Sequence, residues 1–423
     1  MRVGLNESGS LDVQELIYDF DSRMPMETPF IDRNRYRILQ SCTSRSWGGL
    51  EMQALIESTE LRDRGHDLTL LCSPKSRLEE EAKRVDLRTL PLELGTAAYP
   101  LALGNLRRFL IRNEVEVVQA QLSQDLKILV PAATFISNPP AIILTKRVGS
   151  FITKKDPFHR WLYRHVSLVI AISEVIRKNV LDTCPIDPER VVKLFDGVDL
   201  KRFDRRRIDR MAVRREFGLS DRELVVGLVG RFSPGKGHEE FIQAAKVIHS
   251  RFPEIKFLVV GEPSFGEEVF GENIQELAQP LRNKRVMTFT GYRADIPEVM
   301  AGLDILAFPS HAEAFGDVLI EAMAMGLPVV STNCDGVVEI VVNGETGIQV
   351  PPKDASALAE ALMKLIQDEP LRKLFGHAGR RRAERVFNLE ARTDRVEELY
   401  ADLLGLSSRN ETGYSIPQQL ETR

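Results

Sequence analysis

Residues 303–332 read "LDILAFPSHAEAFGDVLIEAMAMGLPVVST" and contain a complete strand, loop, helix and strand. "LDILAFPS" is an apolar run that stops at Pro309, as a strand covered on both faces does. "GDVLIEAMAM" then carries an apolar face at helical spacing, Gly326 ends it, and "LPVVST" is the next buried strand. Strands separated by helices in this way imply a parallel sheet with crossover connections.

The same alternation extends outward. It starts at "ELVVGLVGRF" and continues through "IKFLVVGE" and "RVMTFTG" into the opening stretch. A separate series precedes it: "RILQSC", a helix from about Leu50 to Arg64 closed by Gly65, then "DLTLLC", "VEVVQAQ", "AIILTK" and "SLVIAIS". The expected fold class is therefore α/β, with two Rossmann-like, doubly wound parallel-sheet domains joined near residues 200–222. Residues 1–35 are polar, aperiodic and rich in breakers, and read as a poorly ordered extension outside the fold. Residues 407–423 read as a polar tail.

Composition bounds the function. The chain has 423 residues, 43% hydrophobic and 28% charged, with a formal charge of -4, which suits a globular protein of two to three ordinary domains. The four cysteines are far apart and signal neither a zinc site nor a disulfide scaffold. No stretch approaches the roughly 18 apolar residues of a membrane span, and the N-terminus lacks the apolar segment of a signal peptide. A cytoplasmic location is the reading. The arginine-rich junction "DLKRFDRRRIDRMAVRREFGLS" lacks interleaved aromatics and reads as a solvated linker and helix face, so no nucleic-acid partner is expected.

Sites in doubly wound sheets lie beyond the carboxyl ends of the strands. The loop after "RILQSC" places Gly48 and Gly49 before a helix, where they serve either a tight turn or the close approach of a phosphate or sugar to backbone N–H groups. "VGRFSPGKG" matches a phosphate-binding G-x-x-x-x-G-K through Gly230, Gly235 and Lys236. It then fails, because Gly237 stands where a Mg²⁺-holding hydroxyl is needed. Arg231 and Lys236 survive as two fixed cations suited to a diphosphate. In the opening stretch, Glu313 precedes the helix and Glu321 lies inside it. The amides near Phe315, Gly316, Asp317 and Val318 form an anion-binding helix start between two carboxylates. The plainer reading gives Glu321 a local pairing role and leaves Glu313 a solvated loop charge.

"EAFGDVLIEAMAMGLPVVSTNCDGVVE", from Glu313 to Glu339, is similar to the E-x7-E motif and glycine-glutamate turn of the retaining, GT-B fold glycosyltransferases of family 4. "VGRFSPGKG", "LFDGVDLKRF" and "WGGLEMQAL" resemble that family's arginine-lysine loop, interdomain strand and N-terminal glycine loop, and the resemblance covers about residues 36–406. It implies an acceptor domain over residues 36–200 and a nucleotide-sugar domain over 201–390. Residues 391–406 would form a helix packing back on the first domain.

Carried over, Glu313 contacts the transferred sugar, Glu321 the ribose, and Arg231 with Lys236 the leaving diphosphate. Gly48, Gly49, Gly230, Ala314, Phe315, Gly316, Val318 and Leu319 surround the donor. The loop Gly291 to Arg293, with Asp304, lines the base. No cofactor is implied beyond the nucleotide-diphosphate sugar that serves as donor substrate, and no metal; the one D-x-D, Asp19 and Asp21, lies in the extension. The acceptor is expected to be a glycan or lipid-linked molecule of cell-envelope polysaccharide or glycoconjugate synthesis. The alternatives are an epimerase or phosphorylase of the same fold, or a non-catalytic nucleotide-sugar-binding protein.

Two departures stand out. Lys146 and Arg147 occupy a strand end where many relatives have histidine, with Arg147 a candidate for stabilising the leaving phosphate. Asp317 replaces a usually apolar residue, and its charge suits a bound diphosphate only if it points outward. Finally, "TKRVGSFITKKDPFHRWLYRHV", residues 145–166, mixes basic and aromatic residues. This fits contact with an anionic membrane surface, or equally a helix packed by its aromatics and solubilised by its charges.

Overall fold

The computed structural model describes residues 35–95, 98–263 and 266–406. The N-terminal extension with Asp19 and Asp21, and the tail from 407, lie outside the described residues. The first domain contributes β1 (Arg37–Cys42), β2 (Asp67–Cys72), β3 (Thr89–Pro91), β4 (Val117–Ala120), β5 (Ala141–Lys146), β6 (Leu168–Ala171) and β7 (Val191–Lys193). The second contributes β8 (Val225–Val229), β9 (Lys256–Val260), β10 (Met287–Phe289), β11 (Ile305–Phe308), β12 (Val329–Thr332) and β13 (Gly347–Val350).

Among the described residues the strand orders are β3-β2-β1-β4-β5-β6-β7 and β10-β9-β8-β11-β12-β13. The pairs are parallel, with β1 between β2 and β4 and β8 between β9 and β11. Two doubly wound α/β sheets are thus present, as the alternating pattern implies. The chain reverses its direction of progress at β1/β4 and at β8/β11, and crevices for ligands open at such switch points.

Alternation within β5 shows why the strands read as continuous apolar runs. Ile142 and Leu144 enter one hydrophobic cluster while Ile143 enters another on the opposite face, so both faces of the sheet are covered. The final helix, Leu389–Leu404, sends Val396, Leu399 and Tyr400 into the first domain's cluster beside Tyr36, Leu68 and Val117. The chain crosses there on a close backbone approach. Val198 N–H donates to the Phe387 carbonyl at 2.8 Å, and Leu389 N–H to Val198 at 3.2 Å. A Cβ on Gly197 would lie 2.7 Å from Leu389 Cα. Only glycine fits that crossing.

The junction differs from a solvated linker. Arg214 is fully buried, donating to the carbonyls of Gly302, Ser220 and Glu223 and pairing with Asp304 at 2.6 Å. Arg205 and Arg210 also reach carbonyls of the second domain, because a guanidinium carries enough donors to satisfy several acceptors at once, whereas Arg206, Arg207 and Arg215 keep the exposed positions of a solvated face.

Candidate active site in the interdomain cleft

The loops following β8 and β11 meet. Lys236 Nζ lies 2.5 Å from Glu313 Oε2, and His311 N–H donates to Gly235 O at 2.8 Å. Gly237 has φ +77°, and a Cβ there would sit 2.1 Å from the Pro309 carbonyl oxygen. The position that breaks the phosphate-loop match is therefore fixed as glycine by packing between the two loops. The turn at 334–336 holds Glu313 from the other side: Gly336 N–H donates to Glu313 O at 3.0 Å, and Glu313 N–H to Asp335 Oδ2 at 3.2 Å.

The helix Asp317–Ala324 starts here, capped by Gly316 at φ +113°. Leu319 N–H turns back onto Gly316 O at 2.9 Å, whereas among the described residues the N–H groups of Phe315, Gly316, Asp317 and Val318 make no hydrogen bond. Four unengaged donors at the positive end of a helix, with Lys236 nearby, make a candidate anion site, able to hold phosphate oxygens.

The structure redistributes several residues that the sequence placed around this site. The Phe315 ring is buried between Phe195, at 5.7 Å, and Phe387, at 5.9 Å, so only its backbone faces the site. Leu319 is wholly buried and its amide closes the first turn, which removes it from ligand contact. Ala314 offers its carbonyl to Ser173 Oγ of the first domain at 2.6 Å, and Gly230 N–H is used by Val260 O at 2.9 Å. Val318 keeps its amide toward the site.

Arg293 does not join Glu313 and Lys236: its guanidinium is taken by Asp295, at 2.6 Å, and by Glu216. Asp304 precedes β11, at the opposite end of the sheet from the site, and is paired with Arg210 at 2.7 Å and with Arg214. Both side chains are thus held in ion pairs.

The first domain closes the cleft. The Arg231 guanidinium comes within 3.7 Å of where a Cβ on Gly48 would stand, and Asp317 Oδ2 within 3.1 Å of one on Gly49. Trp47 donates from Nε1 to Tyr292 Oη at 3.2 Å, and Arg77 lies over the Tyr292 ring at 4.3 Å. Glu339 ties the domains as well, accepting from Glu174 N–H at 2.6 Å and pairing with Lys193 at 2.9 Å. Sequence reading included Trp47 and Tyr292 only as members of their loops, without a role, and missed Ser173, whose one signal is a hydroxyl residue in a loop that follows a strand.

Beneath the cleft lies a buried charge network. Arg147 pairs with Asp196 through two 2.9 Å contacts and with Glu57 at 3.2 Å. Arg392, from the final helix, reaches Glu57 at 3.1 Å and Asp196 at 3.4 Å. Burial raises the Glu57 carboxyl, but Arg392 and Arg147 outweigh it and bring it to about 2. Arg147 therefore holds the network together and is not available to a leaving phosphate.

Lys146 points elsewhere. It is 8% exposed, and burial together with Lys154 lowers it to about 8. Glu321 is partly exposed as a residue, yet burial of its carboxyl pushes it up to about 7 against the Arg202 charge. Asp317 points inward and not outward. Its Oδ1 is shut from solvent with no hydrogen-bond partner, and burial, then Asp196 and Glu321, raise it well above the ordinary carboxylate range.

Comparison with known proteins follows this geometry. The model described as "Glycosyltransferase Family 4" matches residues 47–202, and that described as "Glycosyl transferases group 1" matches residues 209–382. The capsular polysaccharide biosynthesis glycosyltransferase CapM of Staphylococcus aureus is 31% identical over 281 residues, 64% of this chain and 73% of that protein. The D-inositol 3-phosphate glycosyltransferase of Rhodococcus jostii is 36% identical over 218 residues, 51% of this chain and 48% of that one, so this chain spans about half of that relative's length.

Among solved structures, a glycosyltransferase from Rickettsia africae superposes with a TM-score of 0.77 at 23% identity, covering 88% of this chain and 99% of that one. Anabaena HepE, crystallised with UDP and glucose, gives 0.73 at 21% identity, covering 87% and 100%. With one family model on each sheet domain, the GT-B architecture, and a 31%-identical relative covered over 73% of its length, the chain belongs to the group 1 glycosyltransferases.

Proposed function

We propose that the protein transfers a sugar, with retention, from a nucleoside-diphosphate sugar to a glycan or lipid-linked acceptor in envelope polysaccharide or glycoconjugate synthesis. The observation that carries this reading is the anion site: four unengaged amides at 315–318 beside the Lys236–Glu313 pair. A diphosphate placed on those amides is met by Lys236 on one side and Arg231 on the other. These cations offset the charge that develops as the sugar leaves, which is where such groups lower a barrier most. Glu313 then lies on the sugar side and Glu321 on the ribose side. HepE, solved in complex with UDP and glucose and with UDP-glucose, supports a nucleotide-sugar donor, and the capsular polysaccharide relative supports a polysaccharide product.

An anionic membrane surface completes the proposal. Val148, Phe151, Ile152 and Phe158 are 53%, 104%, 71% and 48% exposed. Lys155, Arg160 and Arg164 are exposed among them, whereas Tyr163 is buried. Exposed apolar side chains ringed by cations suit the boundary of an acidic bilayer. Among the described residues no helix is long and apolar enough to cross one.

A thermal-shift panel of UDP, GDP and ADP with their sugars tests the donor site, since a ligand that binds only the folded state raises its melting temperature. No shift with any nucleotide overturns the reading. Equal sedimentation with neutral and anionic vesicles overturns the membrane contact.

A further inference from the structure

Asp317 is the first residue of the helix whose amides form the anion site, and its carboxyl lies on the cleft side. The charged groups that bear most strongly on it can be named. Glu321 is one turn on along the same helix and Glu313 is in the loop before it. Asp196 and Arg147 approach from the first domain. The Gly48–Gly49 loop closes the remaining side, with Arg231 against Gly48. Arg147, the cation that acts most on Asp317, already makes bidentate contact with Asp196 and pairs with Glu57. Asp317 Oδ1 has no hydrogen-bond partner although it is excluded from solvent. A carboxylate left this way costs several kcal/mol, and a diphosphate added beside it would raise the cost further; a neutral carboxylic acid avoids both.

We propose that Asp317 is a positioning residue that enters the donor complex as a neutral acid and donates its O–H to an oxygen of the bound diphosphate. The inference rests on the donor reading above. Proton uptake then accompanies nucleotide binding wherever Asp317 is ionised in the free protein. The direction of its shift in the free protein, upward through burial and then Asp196 and Glu321, agrees with this.

The test is calorimetry of UDP, GDP and ADP binding above pH 7, where the nucleotide's own last phosphate ionisation, near pKa 6, is nearly complete. Only the protonated form is competent, so Kd for wild type rises with pH, approaching about tenfold per unit above the pKa. Asp317→Asn keeps a donor without the charge and should flatten that rise, binding as well as wild type at pH 7 and better at pH 9. Asp317→Leu should also be flat but several-fold weaker than Asn. Glu321→Gln, which removes the other carboxylate ionising near this range, should keep a rise with pH. Buffers of differing ionisation enthalpy should report proton uptake by wild type and less by Asp317→Asn.

If wild type binds and Asp317→Asn is weaker with an unchanged pH slope, Asp317 acts as an anion and the proposal fails. If no nucleotide binds wild type at any pH, the donor reading itself fails, and the two results are distinct.

Discussion

Lys236 and Glu313 hold each other across two loops, Nζ to Oε2 at 2.5 Å. The residue proposed for the diphosphate thus restrains the residue proposed for the sugar. On the proposed function, a bound diphosphate would compete for the lysine and release the glutamate toward the reacting centre.

Glu313→Gln should therefore lower kcat more than it weakens nucleotide binding, because Glu313 acts where charge and ring shape change. Glu321→Ala should chiefly raise donor KM, by about ten- to hundredfold, the worth of a charged hydrogen bond of roughly 1.5 to 3 kcal/mol. Calorimetry with the free nucleoside diphosphate separates them: it should bind the first variant normally and the second poorly. Equal losses in both would sink the division of roles.

Gly237→Ser restores the hydroxyl of a phosphate loop but should not restore such a site. The left-handed backbone alone costs on the order of 1 to 3 kcal/mol, and the new Cβ strikes the Pro309 carbonyl. A lowered melting temperature and weakened diphosphate binding are expected; a stable variant with tighter binding contradicts the loop packing.

Arg392→Met should destabilise the fold by about 3 to 5 kcal/mol, as removal of one partner leaves Glu57 and Asp196 under-compensated in the interior. Urea denaturation measures it. A loss below about 1 kcal/mol would show that Arg147 alone neutralises both carboxylates.

Stability should fall as pH rises from about 4.5 to 7. Glu321 holds its proton to about 7 in the folded state against an ordinary 4.5, so the folded state binds more protons than the unfolded one in that window. At about 1.4 kcal/mol per unit the effect is about 3 kcal/mol at most. Glu321→Gln should lessen the slope of melting temperature against pH, and an unchanged slope would place the titration elsewhere.

Transfer should survive EDTA, since Arg231 and Lys236 are proposed to supply the positive charge that a metal provides elsewhere. Loss of activity with rescue by Mn²⁺ or Mg²⁺ overturns this.

By itself, the sequence determined the two parallel sheets. A strand covered on both faces must be apolar throughout and a crossover helix must be amphipathic, and both patterns are local, as in residues 303–332. It determined the strand-end loops of the candidate site for the same reason: Gly48, Arg231 and Lys236 each adjoin a punctuating glycine, and Glu313 and the 315–318 amides lie around Gly316 in the loop that follows Pro309.

Tertiary structure alone decided which side chains face the cleft. Phe315 and Leu319 read as site residues from their position, but the core claims them because burying an aromatic ring or a leucine is worth more than lining a polar cleft. Asp304 is claimed by Arg210 and Arg214, some ninety residues earlier, and Arg293 by the distant Glu216 together with its neighbour Asp295. Arg147 was indistinguishable from a phosphate ligand until Glu57 and Asp196, from distant segments, closed around it. The inward turn of Asp317 arises where two domains meet, and no local pattern encodes the opposing surface.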